Sequence, residues 1–530
     1  MGGAGWRKPK MSTFAPMFVR KKKNRSGSVS VVVVSKSRGR YEEVRSFGTA
    51  NTDEEASRLC VRARHWIDTI GSQMPIDFDN ECGRELDETR RVIDNMDAVL
   101  LNGTQLLLGQ VYDNIGFGEV PDGILRHLVI ARVSQPRSKL ATVSYLKSYY
   151  DEDVNLNSIY RYMDKLYNTQ QELVQRISVE HTRKLLGGKV GLMFYDVSTL
   201  YFETSGTDVL REPGFSKDGK TAESQVVLGL LVSEGGYPLS YSLYNGSQYE
   251  GRTMIPMIDD FRQRYGIGED FVVVADSGLM NAKNVGLLHE AGYKYVIGAR
   301  IKGESDGVKA WILGLEKKNG LFHEMRRDDG ERLIVGYSES RAKKDRYNRE
   351  RGVERLRKAY SSGRLTKSQV NRRGYNKFLE MSKDVEVRIS ESKIQEDSKW
   401  DGLKGYVTNT DLDAETVVSQ YKGLWVVERA FRVSKGTLDM RPMFHFTERR
   451  IEAHVCICFI AYKVYKELER IVRTAGVEMS VDKVLDIAKT ITTVRVRMPN
   501  NHEVYTKTLF LSEQQNAIKP LFDLTRLGGL

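Results

Sequence analysis

Three acidic residues stand where rigid elements could hold them. Asp196 follows the apolar, strand-like run 190–195, Asp276 follows the apolar run 271–275, and Glu428 lies in a helical pattern. Two divalent cations about 4 Å apart can activate an attacking oxygen and stabilise a leaving oxygen during in-line displacement at phosphorus. Such cations prefer hard oxygen ligands, which carboxylates supply. The three acids therefore predict a metal-dependent phosphoryl-transfer site, in which Asp196 bridges two ions and the other two acids each complete one.

The pattern around Glu428 predicts one helix over residues 421–435. At about 100° per residue, four polar residues share one stripe of this helix: Tyr421, Glu428, Arg432 and Lys435. An apolar stripe lies roughly 70° away by the same arithmetic: Leu424, Val427 and Phe431. A carboxylate held between cations above an apolar seam is more typical of a metal and phosphate site than of a solvated surface.

The positive charge is concentrated in two blocks. The net charge is +12, residues 1–40 contain eleven Lys/Arg and no Asp/Glu, and residues 341–380 contain fourteen Lys/Arg and four Asp/Glu. Blocks of this kind indicate a polyanionic partner, although a solvated tail (1–27) or an exposed helix (341–380) would have the same composition. Five arginines of the internal block are candidate contacts: Arg346, Arg349, Arg355, Arg372 and Arg373.

Composition favours a globular protein that is neither exported nor membrane-bound. No apolar stretch approaches 18 residues, and no apolar segment of signal-peptide type follows the basic N-terminus. The four cysteines form no C-x-x-C pair, so we interpret them as small buried hydrophobes in a reducing compartment. We expect a cytoplasmic protein with no membrane partner.

Secondary-structure patterns change near residue 188. Residues 28–48 predict a β-hairpin, a helix follows from Asp53, and residues 85–180 predict helices that fit either a helix-turn-helix reader or an ordinary bundle. From 188 to 298 the order is β-β-β-α-β-α-β, which is that of a ribonuclease-H-like fold: a mixed sheet flanked by helices. In that fold strands one and four are neighbours, so Asp196 and Asp276 would face each other.

The fold class that we predict is an α/β catalytic core with a β-rich insertion and a mostly helical N-terminal region. We predict six segments: a basic arm and hairpin (1–71), a helical, candidate DNA-end-binding region (72–185), the first part of the core (186–302), a β-rich basic insertion (303–400), the second part of the core with the Glu428 helix (401–475), and a C-terminal, candidate dimerisation region (476–530).

The Glu428 helix resembles the Y-x2-R-x3-E-x6-K signature of insertion-sequence DDE transposases of the IS-four-like superfamily. Tyr421, Glu428 and Lys435 fit at the family's spacing, whereas Leu424 stands where the family has arginine. Lys422 and Arg432 are candidates to supply the missing charge. The residues around Asp196 and Asp276 are similar to the family's other two acid motifs, and the resemblance covers about residues 120–470. The spacings of 80 and 152 residues between successive acids fit the branch with a β-rich insertion before the glutamate.

The resemblance implies cut-and-paste transposition: DNA strand cleavage at element ends and strand transfer to target DNA. It implies two Mg²⁺ or Mn²⁺ ions on the three acids, double-stranded DNA as partner, and a homodimer in the DNA complex. It also implies a prokaryotic protein that is associated with the nucleoid. Lys435 and Arg432 would contact phosphate, and Tyr421 the backbone or a base. In relatives that form a hairpin intermediate, an aromatic residue of the insertion stacks on a flipped base, and Trp311 and Trp400 are candidates.

Two alternatives remain open at the level of sequence. One is a ribonuclease-H-like nuclease that cleaves DNA without joining it, and the other is a domesticated DNA-binding protein. The presence of all three acids with Tyr421 and Lys435 argues against the second.

Overall fold

The structure is a computed structural model. It describes residues 17–37, 40–70, 86, 89–203, 206–214, 222–268, 271–278, 282–366, 370–371, 374–381, 387–498, 502–523 and 525. The chain forms two compact units, Met1–Asn95 and Met96–Leu530.

The first unit is a three-stranded antiparallel sheet with one helix on it. The strands are β1 (Met17–Lys23), β2 (Val29–Ser37) and β3 (Arg40–Ala50), with β2 in the middle, and the helix is α1 (Asp53–Ile70). Valines of β2 pack against Cys60 and Ala63 of α1. The predicted hairpin and helix are confirmed, and the basic arm contributes a third strand.

The second unit contains the remaining elements. Its strands are β4 (Met96–Leu100), β5 (Leu192–Tyr201), β6 (Glu212–Pro213), β7 (Ser224–Ser233), β8 (Pro238–Asn245), β9 (Val272–Ala275), β10 (Lys294–Ala299), β11 (Phe322–Arg326), β12 (Arg332–Tyr337), β13 (Leu379–Met381), β14 (Val387–Ile389), β15 (Leu403–Thr408), β16 (Thr492–Arg497) and β17 (Val504–Leu509). Its helices are α2 (Gly103–Ile115), α3 (Gly123–Ser134), α4 (Lys139–Tyr150), α5 (Leu156–Lys165), α6 (Gln171–Leu185), α7 (Met254–Tyr265), α8 (Ala282–Glu290), α9 (Asp306–Gly314), α10 (Glu339–Ser361), α11 (Glu391–Ser398), α12 (Ala414–Lys422), α13 (Trp425–Arg432), α14 (Glu448–Thr474), α15 (Val481–Ala488) and α16 (Glu513–Ile518).

A mixed sheet with helices on both faces forms the centre of this unit. The described strands run in the order β11-β12-β15-β10-β9-β5-β7-β6, and β8 also pairs with β7. Strands β5, β9 and β10 are parallel, whereas β7, β8 and β15 pair antiparallel with their neighbours. One face packs on α7, α8 and α9, and the other on the helices before β5 and on α12, α13 and α14. The element order predicted for residues 188–298 is present.

The N-terminal helices of this unit form a bundle around α14. Residues from α2, α3 and α5 share one hydrophobic core with this long helix, most of whose residues are buried. Of the two readings that the sequence leaves open, the packing therefore favours an ordinary helical bundle. No described helix combines the length and hydropathy that crossing a membrane requires.

The segment 303–400 differs from the β-rich insertion that the sequence predicts. More of its described residues lie in helices α9, α10 and α11 than in strands β11–β14. Strands β11 and β12 extend the main sheet beside β15. The long helix α10 is rich in Arg, Lys and Glu, which are good helix formers, and Ser338 caps its first turn.

The C-terminal residues return to the start of the unit. Strand β16 lies between β17 and β4, and the Thr493 hydroxyl donates a 2.6 Å hydrogen bond to Oδ1 of Asn102. Strands β16 and β17 of the C-terminal region thus share a sheet with β4, the first strand of this unit.

Candidate active site

Asp196 and Asp276 lie next to each other on adjacent parallel strands. Tyr195 of β5 pairs with Ala275 of β9, so the two aspartates follow at the same level of the sheet. Adjacent strands are separated by about 4.8 Å. Asp196 is half-buried and Asp276 is exposed. The structure therefore brings the two predicted acids together. Asp276 follows the end of its strand as predicted, whereas β5 continues to Tyr201, so Asp196 lies inside its strand.

Helix α13 lies along β5 on the face that carries Asp196. A Cβ atom at Gly423 would lie 2.5 Å from the Phe194 ring, so only glycine permits this close approach. At the other end, the Lys435 ammonium donates a hydrogen bond to the Ser198 hydroxyl. Side chains two residues apart on a strand share a face, so Phe194, Asp196 and Ser198 lie on the same face of β5. Glu428 lies between Gly423 and Lys435 in the sequence, and its part of the helix therefore lies over the stretch of β5 that contains Asp196.

The prediction of a single helix over residues 421–435 is wrong. Helix α12 ends at Lys422 and α13 begins at Trp425, and the backbone between them tightens into hydrogen bonds between residues three apart. A π-helical turn at Val433–Thr437 then carries Lys435. The predicted apolar stripe is nevertheless buried, and Leu424 is part of it at 8% exposure. The position where the family has arginine therefore faces the hydrophobic core.

Tyr421 is buried and holds Asp276 in place. Its hydroxyl donates a 2.7 Å hydrogen bond to Oδ1 of Asp276. The ring reaches this carboxylate because residue 298 is glycine: a Cβ there would lie 2.5 Å from the Tyr421 oxygen. Partial desolvation raises the pKa of Asp276. The hydrogen bond from Tyr421, two backbone N–H groups and the charge of Lys404 lower this pKa by more, so it lies below its usual value.

Lys404 is a site residue that sequence reasoning missed. It lies on β15, with its ammonium 4.1 Å from the centroid of the Tyr421 ring. Burial and the nearby Arg341 lower the pKa of Lys404, whereas Asp276 and Glu428 both raise it. One cation thus lies close to two of the three acids. A signal existed in the sequence, because a lone lysine in an otherwise apolar strand needs a partner.

The donor set suits a hard divalent cation. Among the described residues, no three His, Cys, Asp or Glu side chains converge into a ready-made metal cage. Mg²⁺, however, is commonly bound by one or two carboxylates together with water and substrate phosphate. Two aspartates at the same level of neighbouring strands, with a glutamate on the adjacent helix, fit this mode of binding.

Comparison with known protein families shows to which family the chain belongs. The family model described as "Transposase DDE domain" matches residues 193–463, just over half of the chain. The chain belongs to this family. The matched segment contains Asp196, Asp276 and Glu428. The protein is therefore a DDE transposase, an enzyme that cleaves and transfers DNA strands, and members of its family generally use divalent metal ions.

Solved structures of transposases overlap the chain only in part. A piggyBac transposase synaptic complex with hairpin DNA has 11% identity and a TM-score of 0.37, over 68% of each chain. A Mos1 transposase paired-end complex with the left transposon end has 10% identity and a TM-score of 0.15, over 32% of this chain and 57% of the other. At these TM-scores the overlaps carry no argument about the fold. Comparison with curated proteins gives no match.

In this DDE transposase, a cavity of about 540 Å³ lies beside Asp276. Its lining includes Lys404, Tyr421, Trp400 and several further cations: Arg300, Lys302, Arg341 and Lys377. Two tryptophans are candidates for stacking on a base. Trp400 lines this cavity, whereas Trp311, a residue of α9, packs against the hydrophobic core.

The predicted DNA-contacting arginines differ in their surroundings. Arg346 and Arg355 are exposed on α10. Lys422 of α12 and Arg432 of α13, which lie near the acids, are also exposed. Arg349 is 8% exposed, and its guanidinium forms a bidentate ion pair with Asp401. The structure thus places Arg349 apart from the exposed arginines of its helix. Arg372 and Arg373 lie outside the described residues.

Trp425 is a second residue that the sequence reasoning did not consider. It is 54% exposed, one helical turn before Glu428 and on the same side of α13 as Arg432. An exposed indole at this position offers a flat aromatic surface next to Glu428. Its spacing of three residues from Glu428 was the available signal.

We expect Tyr421→Phe to move the acidic limb of the pH–activity profile to higher pH. The wild-type hydroxyl stabilises the charged form of Asp276, so its loss raises the pKa of that carboxylate, and the active, deprotonated form is lost at a higher pH. Cleavage rates measured across a pH series test this expectation. Tyr406→Phe is the matched control, because that ring packs on Tyr421 at 5.0 Å without bonding Asp276. Identical profiles for wild type and Tyr421→Phe would contradict the assigned role.

Proposed function

We propose that this DDE transposase is an insertion-sequence enzyme with a ribonuclease-H-like core and a variant of the Y-x2-R-x3-E-x6-K signature. The strand order β8-β7-β5-β9-β10 supports the core assignment, with β8 and β7 antiparallel and β9 and β10 parallel to β5. Tyr421, Glu428 and Lys435 support the signature. The enzyme performs cut-and-paste transposition of its element.

One observation carries the proposal: Asp196, inside β5, and Asp276, directly after β9, lie at the same level of adjacent parallel strands, beside the helix that bears Glu428. These three residues would hold two Mg²⁺ or Mn²⁺ ions. When bound, the ions activate the attacking oxygen and stabilise the leaving one at phosphorus.

Surrounding side chains orient the acids and the DNA strand. Tyr421 fixes the orientation of the Asp276 carboxylate by its 2.7 Å hydrogen bond to Oδ1. Lys435 is held on the Asp196 face of β5 by Ser198, where its charge can bind a scissile-strand phosphate. Lys404 lies close to Asp276 and Glu428 and supplies the cation that Leu424 does not.

Exposed cations extend the DNA-contacting surface beyond the acids. Lys422, Arg432, Arg346 and Arg355 are solvent-accessible and can reach phosphates, contacts that position DNA without reading its sequence. The exposed ring of Trp425 can pack against a base next to Glu428. The DNA partners are double-stranded element ends and target DNA. Because two ends must be joined in one event, the active form is a homodimer on DNA.

A strand-transfer assay tests this function. Purified protein is mixed with Mg²⁺, a labelled duplex carrying the sequences that flank the coding region, and a supercoiled target plasmid. We expect cleavage at the element ends and labelled, linearised or nicked-circular joint products. Cleavage without joint products would favour a nuclease, and DNA binding without either reaction would favour a domesticated binding protein.

A further inference from the structure

The N-terminal unit has two sheet faces of different character. Alternate residues of β1 and β2, among them Val19, Val31 and Val33, pack towards α1. Because side chains alternate along a strand, the intervening residues point away from the helix. On that outer face Phe18 and Tyr41 are 39% and 54% exposed. Two large aromatic rings are therefore presented to solvent on a sheet of only three strands.

Aromatic and cationic side chains form one continuous patch on the outer face. The Phe18 and Tyr41 rings meet edge to face with centroids 5.8 Å apart. The guanidinium of Arg20 and the ammonium of Lys36 lie 5.4 Å and 5.5 Å from the Tyr41 centroid. Lys22 extends the patch along β1 and comes within 4.0 Å of Glu43, the acid nearest to it. We call Phe18, Arg20, Lys22, Lys36 and Tyr41 the outer-face patch.

Charge is segregated between the sheet and its helix. Residues 17–50 contain nine Lys/Arg and two Asp/Glu, whereas α1 contains three Lys/Arg and four Asp/Glu. Charges that served only solubility would be mixed over both surfaces. A basic sheet with exposed aromatic rings has instead the character of a nucleic-acid-binding surface.

The width of the sheet fits the major groove of duplex DNA. Three strands spaced about 4.8 Å apart place the outer two roughly 10 Å from each other. The major groove of B-DNA is about 12 Å wide and admits β-ribbons, and phosphates line both of its edges. Arginine can pair with guanine there, and aromatic rings can contact thymine methyl groups.

We propose that the outer-face patch binds double-stranded DNA by entering the major groove. This assigns DNA reading to the β-sheet of the first unit and not to the helical region 72–185. The proposal deepens the proposed function, on which it rests for the identity of the DNA as element ends. Binding itself requires no catalysis, so it can be tested separately.

The test uses the full chain carrying Asp196→Asn, in EDTA, so that no DNA is cleaved. Fluorescence anisotropy with a labelled 40-bp duplex of the sequence flanking the coding region measures affinity at several salt concentrations. We expect the pair Arg20→Ala and Lys36→Ala to weaken binding by about tenfold and to reduce the salt slope by about two. The control pair Arg58→Ala and Arg62→Ala removes the same charge from the exposed surface of α1 and should change affinity less than about twofold.

Two further measurements keep the proposal open to refutation. Methylation of guanine N7, a major-groove atom, should interfere with binding by the parent chain and not with residual binding by the double variant. Tyr41→Ala should weaken binding even though it removes no charge. Equal losses in both charge pairs, no effect of N7 methylation, or tighter binding to single-stranded RNA than to the duplex would each overturn it. Normal duplex binding by a wild-type chain that neither cleaves nor joins DNA when Mg²⁺ is present would defeat the proposed function alone.

Discussion

Replacing Asp196 or Asp276 with asparagine is expected to abolish strand cleavage and joining, with rates lowered by at least about a thousandfold. The amide keeps the size of the side chain and removes the charge that holds a divalent cation. Loss of that charge removes several kcal/mol of transition-state stabilisation, and each 1.4 kcal/mol corresponds to about tenfold in rate. Glu428→Gln should behave alike. Gel assays of cleavage and joining with Mg²⁺ measure the effect.

The matched control is Asp306→Asn. This aspartate opens α9 with a fully exposed side chain, and its replacement should leave the rates within about twofold. Duplex binding in EDTA should be unchanged in all four variants, which separates loss of chemistry from loss of DNA. Wild-type cleavage by either aspartate variant would remove that residue from the proposed active site.

Arg349→Ala is expected to lower the free energy of unfolding by roughly 3–5 kcal/mol, the usual cost of removing one partner from a buried ion pair. The side chains of Arg349 and Asp401 are only 10% and 14% exposed, and Nη1 and Nη2 of the arginine donate to Oδ1 and Oδ2 of the aspartate, respectively. Without the arginine, Asp401 is left as an uncompensated buried charge. Urea unfolding followed by tryptophan fluorescence measures the change, and Trp400 is the residue adjacent to Asp401.

Two exposed arginines of the same helix provide the comparison. Arg346→Ala and Arg355→Ala should change the free energy of unfolding by no more than about 0.5 kcal/mol, because neither side chain is buried. They should instead weaken binding to duplex DNA and lower its salt dependence. If Arg349→Ala is as stable as these two, its ion pair with Asp401 does not contribute as the contact indicates.

The positions of two acids could be predicted because local patterns encode them. A short apolar run that ends in aspartate indicates a buried strand that leads to the acid, and β5 and β9 both begin with this pattern, although β5 continues past Asp196 to Tyr201. Their parallel pairing then follows from the order of elements. The apolar stripe of Leu424, Val427 and Phe431 could be predicted for the same reason, because burial repeats with the helical period.

The break between α12 and α13 could not be predicted, because it depends on a distant ring. Gly423 looks like an ordinary, slightly unfavourable helix residue until Phe194 is placed 2.5 Å from where its Cβ would lie. Lys404 could not be predicted as a site residue for a related reason, since its nearness to Asp276 and Glu428 arises from sheet pairing. Arg349 has the same composition around it as Arg346, and only the tertiary fold buries one of them.

The long excursion between β12 and β15 begins and ends at residues that are paired with each other. Tyr337, the last residue of β12, lies opposite Leu403, the first residue of β15. The chain therefore leaves the sheet and returns to it at one point, and the register of β15, which leads to α12 and Glu428, does not depend on how much chain lies between. Related elements could gain or lose residues here without moving the third acid. For the same reason, this excursion is a natural place to graft a reporter domain onto an active enzyme.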